Sequence, residues 1–138
     1  MKTTKQFFTY LTLVLLTAVT LFAQAPKKLN NIKEDHISNL VNGIKSNNDG
    51  LKRSAVYLAG KYGVVETSDA LVERLNSEKN PQDRILIALA LYRIGNQDAY
   101  EAIKELAKDD YNPKVRRISN AICDAFEVEY EKLIVNLN

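Results

Sequence analysis

The amino-acid sequence predicts an all-α protein, an α-α superhelix (solenoid) of about three helix hairpins with a C-terminal capping helix. Three observations predict it. Apolar residues recur at the i, i+3, i+4, i+7 spacing of one helix face. A self-similarity with a period of 32 residues runs through the chain, and such a period belongs to stacked supersecondary units. Strict apolar/polar alternation between turn residues, the mark of a strand, is missing.

Residues 1–25 combine a basic start (Lys2, Lys5), an apolar run from Phe7 to Phe22 and the small-residue stretch Ala23-Gln24-Ala25. These are the three parts of a secretory signal peptide, with a cut expected after Ala25. The apolar run approaches the length of an uncleaved anchor, but the small residues stand where it ends, which favours cleavage. Residues 26–30 are expected to be a linker and residues 31–138 the repeat domain. The expected location is secreted or periplasmic, with no membrane insertion after cleavage.

Composition narrows the function classes. Both surplus charges of the formal +2 are Lys2 and Lys5, so beyond the leader Lys and Arg equal the 17 Asp and Glu in number. A balanced domain offers no overall electrostatic footprint for nucleic acid. The single cysteine, Cys123, permits no intramolecular disulfide and lies far from the cleavage site, where a lipid anchor would need it. Stability therefore has to come from packing.

The elements follow in order. Ile37, Leu40, Val41 and Ile44 form the stripe of a first short helix. Ala55, Leu58, Ala59 and Tyr62 form the stripe of the next, and Ile87, Ala90, Leu91 and Ile94 repeat it 32 residues on. Asn80-Pro81 and Asn112-Pro113 pair an N-cap with a proline at the first helical position, and Asp49-Gly50 holds the same place earlier. Gly63 and Gly95 follow the last periodic residues as C-caps. Shorter helices are expected from Ser68-Asp69 (Ala70, Leu71, Val72, Leu75) and from Asn96-Gln97-Asp98 (Ala99, Ala102, Ile103, Leu106). The hairpins then cover residues 31–62, 66–95 and 97–127. Phe126, Tyr130, Leu133, Ile134 and Leu137 share a further helical face, which extends the last helix or adds one more, and caps the stack.

Two segments, Ala55-Val56-Tyr57-Leu58-Ala59-Gly60-Lys61-Tyr62-Gly63 and Ile87-Ala88-Leu89-Ala90-Leu91-Tyr92-Arg93-Ile94-Gly95, together with Pro113-Lys114-Val115-Arg116, carry a family resemblance. The chain resembles the short HEAT-like repeats of the type also found in phycobilin lyases. The third copy departs from the pattern, with Asn120, Asp124 and Glu127 where small residues and glycine are expected. The resemblance implies a scaffold whose inner helices line a concave face for a protein partner. By itself a fold does not fix a function.

Candidate residues follow from the repeat. Lys52, Arg84 and Arg116 recur at one position near the starts of the inner helices and form either a basic ladder for acidic partners or pairs with Asp49, Asp83, Asp109 and Asp110. Pairing is favoured, because a cation at a helix N-terminus opposes the macrodipole unless a carboxylate lies beside it. Tyr57, Lys61, Leu89, Arg93, Arg116 and Arg117 are the expected partner-binding residues, since aromatic and Arg side chains most often carry binding energy. Cys123 shares its repeat position with Ala59 and Leu91 and is expected in the core. With one histidine, His36, and no glycine-rich phosphate loop, no catalytic, metal or cofactor site is expected, and the chain is not expected to be an enzyme. The expected function is a non-catalytic protein-interaction module of the cell envelope. The alternatives are a small-molecule or chromophore-related lyase-like activity, implied by the resemblance, and a structural subunit of an envelope assembly.

Overall fold

A computed structural model describes residues 33–137 of the 138-residue chain, with the helical backbone alone at residues 130, 131 and 133–137. The expected leader and linker lie outside the described residues, as do the side chains of Tyr130, Leu133, Ile134 and Leu137. Among the described residues there are six α-helices and no strand. They are α1 (Glu34–Lys45), α2 (Asp49–Tyr62), α3 (Ser68–Ser77), α4 (Pro81–Ile94), α5 (Gln97–Asp109) and α6 (Pro113–Leu137), with a 3-10 turn at Val65–Thr67 leading into α3.

Asparagine sets four of the six helix starts. The side chain of Asn48 accepts from the N–H of Leu51, Asn80 from Gln82 and Asp83, Asn96 from Ala99, and Asn112 from Lys114 and Val115. Each satisfies backbone donors that the first turn leaves without an intrahelical partner. The expected Asp49-Gly50 cap is corrected by one residue: Asn48 caps α2, and Asp49 takes the first helical position that Pro81 and Pro113 hold in the other copies.

Gly63 and Gly95 end α2 and α4 in the left-handed conformation, at φ 59° and 71°. The position two periods beyond Gly63 is Glu127, which lacks this freedom, so α6 meets no stop and runs on for 25 residues. The expected C-terminal cap is thus a continuation of α6 rather than a separate helix.

Hairpins α1–α2, α3–α4 and α5–α6 stack so that α2 packs on α4 and α4 on α6, while α1 packs on α3 and α3 on α5. The core lies between these two layers. Ile44, Val56, Ala59, Leu71, Ile87, Ala88, Leu91, Ala99 and Ile103 are sealed within it. Small residues allow close approach between repeats, and a Cβ placed on Gly60 would lie 2.7 Å from the Ala90 Cα. At the C-terminal end Phe126 takes Tyr92 and Tyr100 edge-on, at centroid distances of 4.9 and 5.3 Å.

Candidate interaction face

The cation that recurs every 32 residues is a fastener between repeats. Lys52, buried at the start of α2, places its ammonium 2.7 Å from Glu78 and 3.0 Å from both Asp49 and Asp83. Arg84, its equivalent on α4, makes a two-pronged pair with Asp110 at 2.7 and 3.1 Å. Its remaining nitrogen donates to the carbonyls of Glu78 and Lys79, and the Tyr111 ring covers the guanidinium at 4.3 Å. Glu78 and Asp110 are themselves one period apart. Each cation thus reaches forward 26 residues to the carboxylate of the next turn, and Arg84 also reaches back six residues to a carbonyl of its own turn.

Among the described residues Arg116 makes only the backward contact, to the Asp110 carbonyl at 2.6 Å, with no carboxylate paired to it. The expected carboxylate pairing therefore holds for Lys52 and Arg84, and Arg116 instead braces the turn before α6. The sequence reading missed Glu78, and the signal for it was present: it stands one period before Asp110.

The electrostatics of this network are self-consistent. Burial pushes the Glu78 carboxyl up, but hydrogen bonds from Lys52, the Asn80 N–H and Arg74 outweigh it and hold the group at about 2. Asp83 is likewise held below its usual value: burial opposes this, and hydrogen bonds from Arg53 and Lys52 prevail. Burial alone would lower Lys52, yet the three carboxylates around it raise it.

With the ladder internal, the outward side of the α2–α4–α6 layer is what remains open. Tyr57 and Leu89, equivalent residues on neighbouring helices, are 55% and 42% exposed. One turn further on, Lys61 and Arg93 are again equivalent and exposed, and the Lys61 ammonium stands 5.7 Å from the Tyr57 ring. Arg117 is exposed near the start of α6, at the position that Arg53 holds on α2. Of the expected partner-binding residues, Tyr57, Lys61, Leu89, Arg93 and Arg117 thus fall on one strip, whereas Arg116 is half-buried against the Asp110 turn.

The profile of HEAT repeats matches residues 37–122, more than half of the chain. The chain belongs to the HEAT repeat family. No curated protein and no solved structure matches it. The register of this HEAT repeat protein therefore comes from its own three copies.

Charge in this HEAT stack is sorted by layer. Helices α1, α3 and α5 carry eight carboxylates against four cations. Helices α2, α4 and α6 carry nine cations against six carboxylates, four of those carboxylates on α6 from Asp124 onward. Net charge alone does not record this difference between the layers. Among the described residues, Lys61, Arg93 and Arg117 lie in no ion pair.

Cys123 is half-buried beside the core rather than sealed in it, and burial, then the neighbouring Asp124 and Glu127, push its thiol up. Such a thiol is a poor nucleophile. Among the described residues no group of His, Cys, Asp and Glu is arranged to hold a metal ion, and no helix is long and apolar enough to cross a membrane.

Proposed function

We propose that the chain is a non-catalytic protein-interaction module that binds an acidic segment of a partner along the outward strip of α2, α4 and α6. The observation that carries this reading is the strip itself, in which exposed Tyr57 and Leu89 lie among Lys61, Arg93 and Arg117, with no carboxylate paired to those cations among the described residues. Apolar side chains supply contact area and the cations supply steering and register. HEAT repeats generally serve as protein-interaction scaffolds, which supports the choice of a protein as partner. Export to the periplasm or beyond the cell is part of the proposal, on the strength of the leader.

The test uses the partner captured from envelope extract. Charge reversal at Lys61→Glu, Arg93→Glu and Arg117→Glu should weaken its binding by tenfold or more, with helix content by circular dichroism unchanged. Binding of the original chain should weaken as salt rises from low to physiological strength. Equal affinity for the original and the reversed chain removes the strip as the site.

One observation favours a second reading, the small-molecule activity that the phycobilin-lyase type of repeat implies. A pocket of about 390 Å³ opens between Gly95-Asn96-Gln97 and the Tyr100, Phe126 and Glu127 side chains. A ligand retained there in native mass spectrometry, and lost in a Phe126→Ala variant, would shift the assignment.

A further inference from the structure

The last turn of the stack opens a pocket at a place that the interior turn fills. Gly95, Asn96, Gln97, Tyr100, Phe126 and Glu127 border about 390 Å³ there, and none of the six is buried. One period earlier the corresponding residues are Gly63, Val64, Val65, Ser68, Ile94 and Gly95. Of these, Gly63, Val64, Ser68 and Ile94 are buried, and Val65 and Gly95 are exposed. The exchanges that open the pocket also change its chemistry. Tyr100 stands for Ser68, Phe126 for Ile94 and Glu127 for Gly95, so two rings and a carboxylate replace a hydroxyl, an aliphatic chain and a hydrogen. The first copy has His36, Tyr62 and Gly63 at these three positions.

The wall offers a ligand one acceptor and two π systems. The rings of Tyr100 and Phe126 stand 5.3 Å apart at 72°, two sides of a corner rather than a stack, and a second edge contact from Tyr92 at 4.9 Å holds Phe126 in place. The side-chain donors on the wall are engaged within the chain: the Asn96 amide donates to Ser68 at 2.9 Å, the Gln97 amide to Glu101 at 3.0 Å and the Tyr100 hydroxyl to Glu127 at 3.2 Å. Among the described residues Glu127 is the one charged group on the wall, and it lies in no ion pair. Burial, then the hydrogen bond to Glu127, push the Tyr100 hydroxyl up. The stretch from Gly95 to Gln97 joins the C-terminal end of α4 to the N-terminal end of α5, whose opposite partial charges offset each other, so the carboxylate sets the sign. One of the rings already attracts a cation, since the Lys104 ammonium, outside the pocket lining, stands 5.8 Å from the Tyr100 centroid.

An anion would meet Glu127 with no cation on the wall, and an uncharged apolar ligand would take water from the carboxylate without replacing it. A primary ammonium is compact and strongly hydrated. A quaternary ammonium spreads the same charge over an apolar surface, so it can lie against the rings and beside the carboxylate at small dehydration cost. Taking the pocket as a small-molecule site, as in the second reading, we infer that it binds a quaternary ammonium group, held against Tyr100 and Phe126 with Glu127 as its counter-charge. No catalytic step is involved.

The test is an NMR titration of the protein purified after expression of the full chain, following the Gly95 and Gln97 amides and the Phe126 ring. The probes are choline and dimethylbutanol, its uncharged isostere with carbon in place of nitrogen. Choline should give saturable shifts with a Kd of about 1 mM, and the isostere should bind about fivefold more weakly or worse. Glu127→Gln, at an exposed position, should cut that preference to about twofold or less. Phe126→Leu, which keeps apolar volume and removes the ring, should weaken choline by about three- to fivefold with helix content by circular dichroism unchanged. Equal binding of the two probes by the original chain overturns the cation assignment and leaves a small-molecule site standing. Shifts from neither probe overturn it too, and the second reading is then decided separately by whether native mass spectrometry finds a ligand that Phe126→Ala loses. Co-flotation of the protein with phosphatidylcholine vesicles would identify the ammonium as a lipid headgroup, and choline binding without flotation would identify it as a soluble amine.

Discussion

The ladder cations show how a lysine and an arginine become structural. Lys52 and Arg84 are 3% exposed each, and burying such charges costs several kcal/mol unless every donor is met. Here the forward carboxylate and, for Arg84, the backward carbonyls meet them. The cost of breaking the arrangement falls on Glu78, whose side chain is 7% exposed and which serves Lys52, Arg74 and the Asn80 N–H at once. Its carboxyl is lowered in the folded chain from 4.5 to about 2, so its stabilising contribution is complete above pH 4.5 and is lost as pH falls toward 2. At 1.36 kcal/mol per unit this contribution is about 3 kcal/mol. Urea unfolding at pH 7 should therefore find Glu78→Gln destabilised by about 2–3 kcal/mol. The same variant should lose less stability than the original chain between pH 4.5 and 2.5, with Asp83 accounting for part of what remains. An unchanged acid limb would remove Glu78 from the fastener.

At the scale of the element, packing between successive inner helices depends on how closely their backbones approach. A methyl on Gly60 would meet the Ala90 Cα at 2.7 Å and its Cβ at 2.9 Å, neither of which is the tip of a flexible side chain. Alanine is favoured over glycine inside a helix by about 1 kcal/mol, but prising α2 from α4 costs about 1–3 kcal/mol, so the steric effect wins. Gly60→Ala should lower Tm by several degrees. Gly50→Ala, whose methyl meets only the Asn48 side-chain oxygen at 3.4 Å, should leave Tm unchanged or raise it slightly. The same elements mark how far the fold was legible. Asn-Pro starts, Gly stops and the stripes Ala55-Leu58-Ala59-Tyr62 and Ile87-Ala90-Leu91-Ile94 are local signals, and they placed α2 and α4 to within a residue or two. The 3-10 turn at Val65–Thr67 escaped, because it is held by the Thr67 hydroxyl on the Val64 carbonyl and by tertiary packing rather than by periodicity. The strip of Tyr57, Lys61, Leu89 and Arg93 was legible as equivalent positions on successive helices. The sorting of charge between layers was not, since net charge carries no record of which helix holds it.

At the scale of the whole molecule the described helices stack as a solenoid, and the faces at its ends govern whether copies associate. A heterologous end-to-end contact between copies builds rings where its rotation closes and filaments where it does not. The residues that prevent this are Asn120 and Asp124, which stand where Val56 and Gly60 receive the following repeat. Any incoming apolar end, such as the one bordered by Leu51 and Leu58, would have to strip water from an amide and a carboxylate without a partner for the charge. Replacing both by the residues of the first copy, Asn120→Val with Asp124→Gly, removes that barrier and recreates an interior face at the C-terminal end. In sedimentation velocity this variant should show concentration-dependent head-to-tail association at tens of micromolar, and the original chain should show less of it at the same concentration. A variant that remains monomeric would show that association at this end is limited by the continuation of α6 past Glu127 and not by the polarity of Asn120 and Asp124.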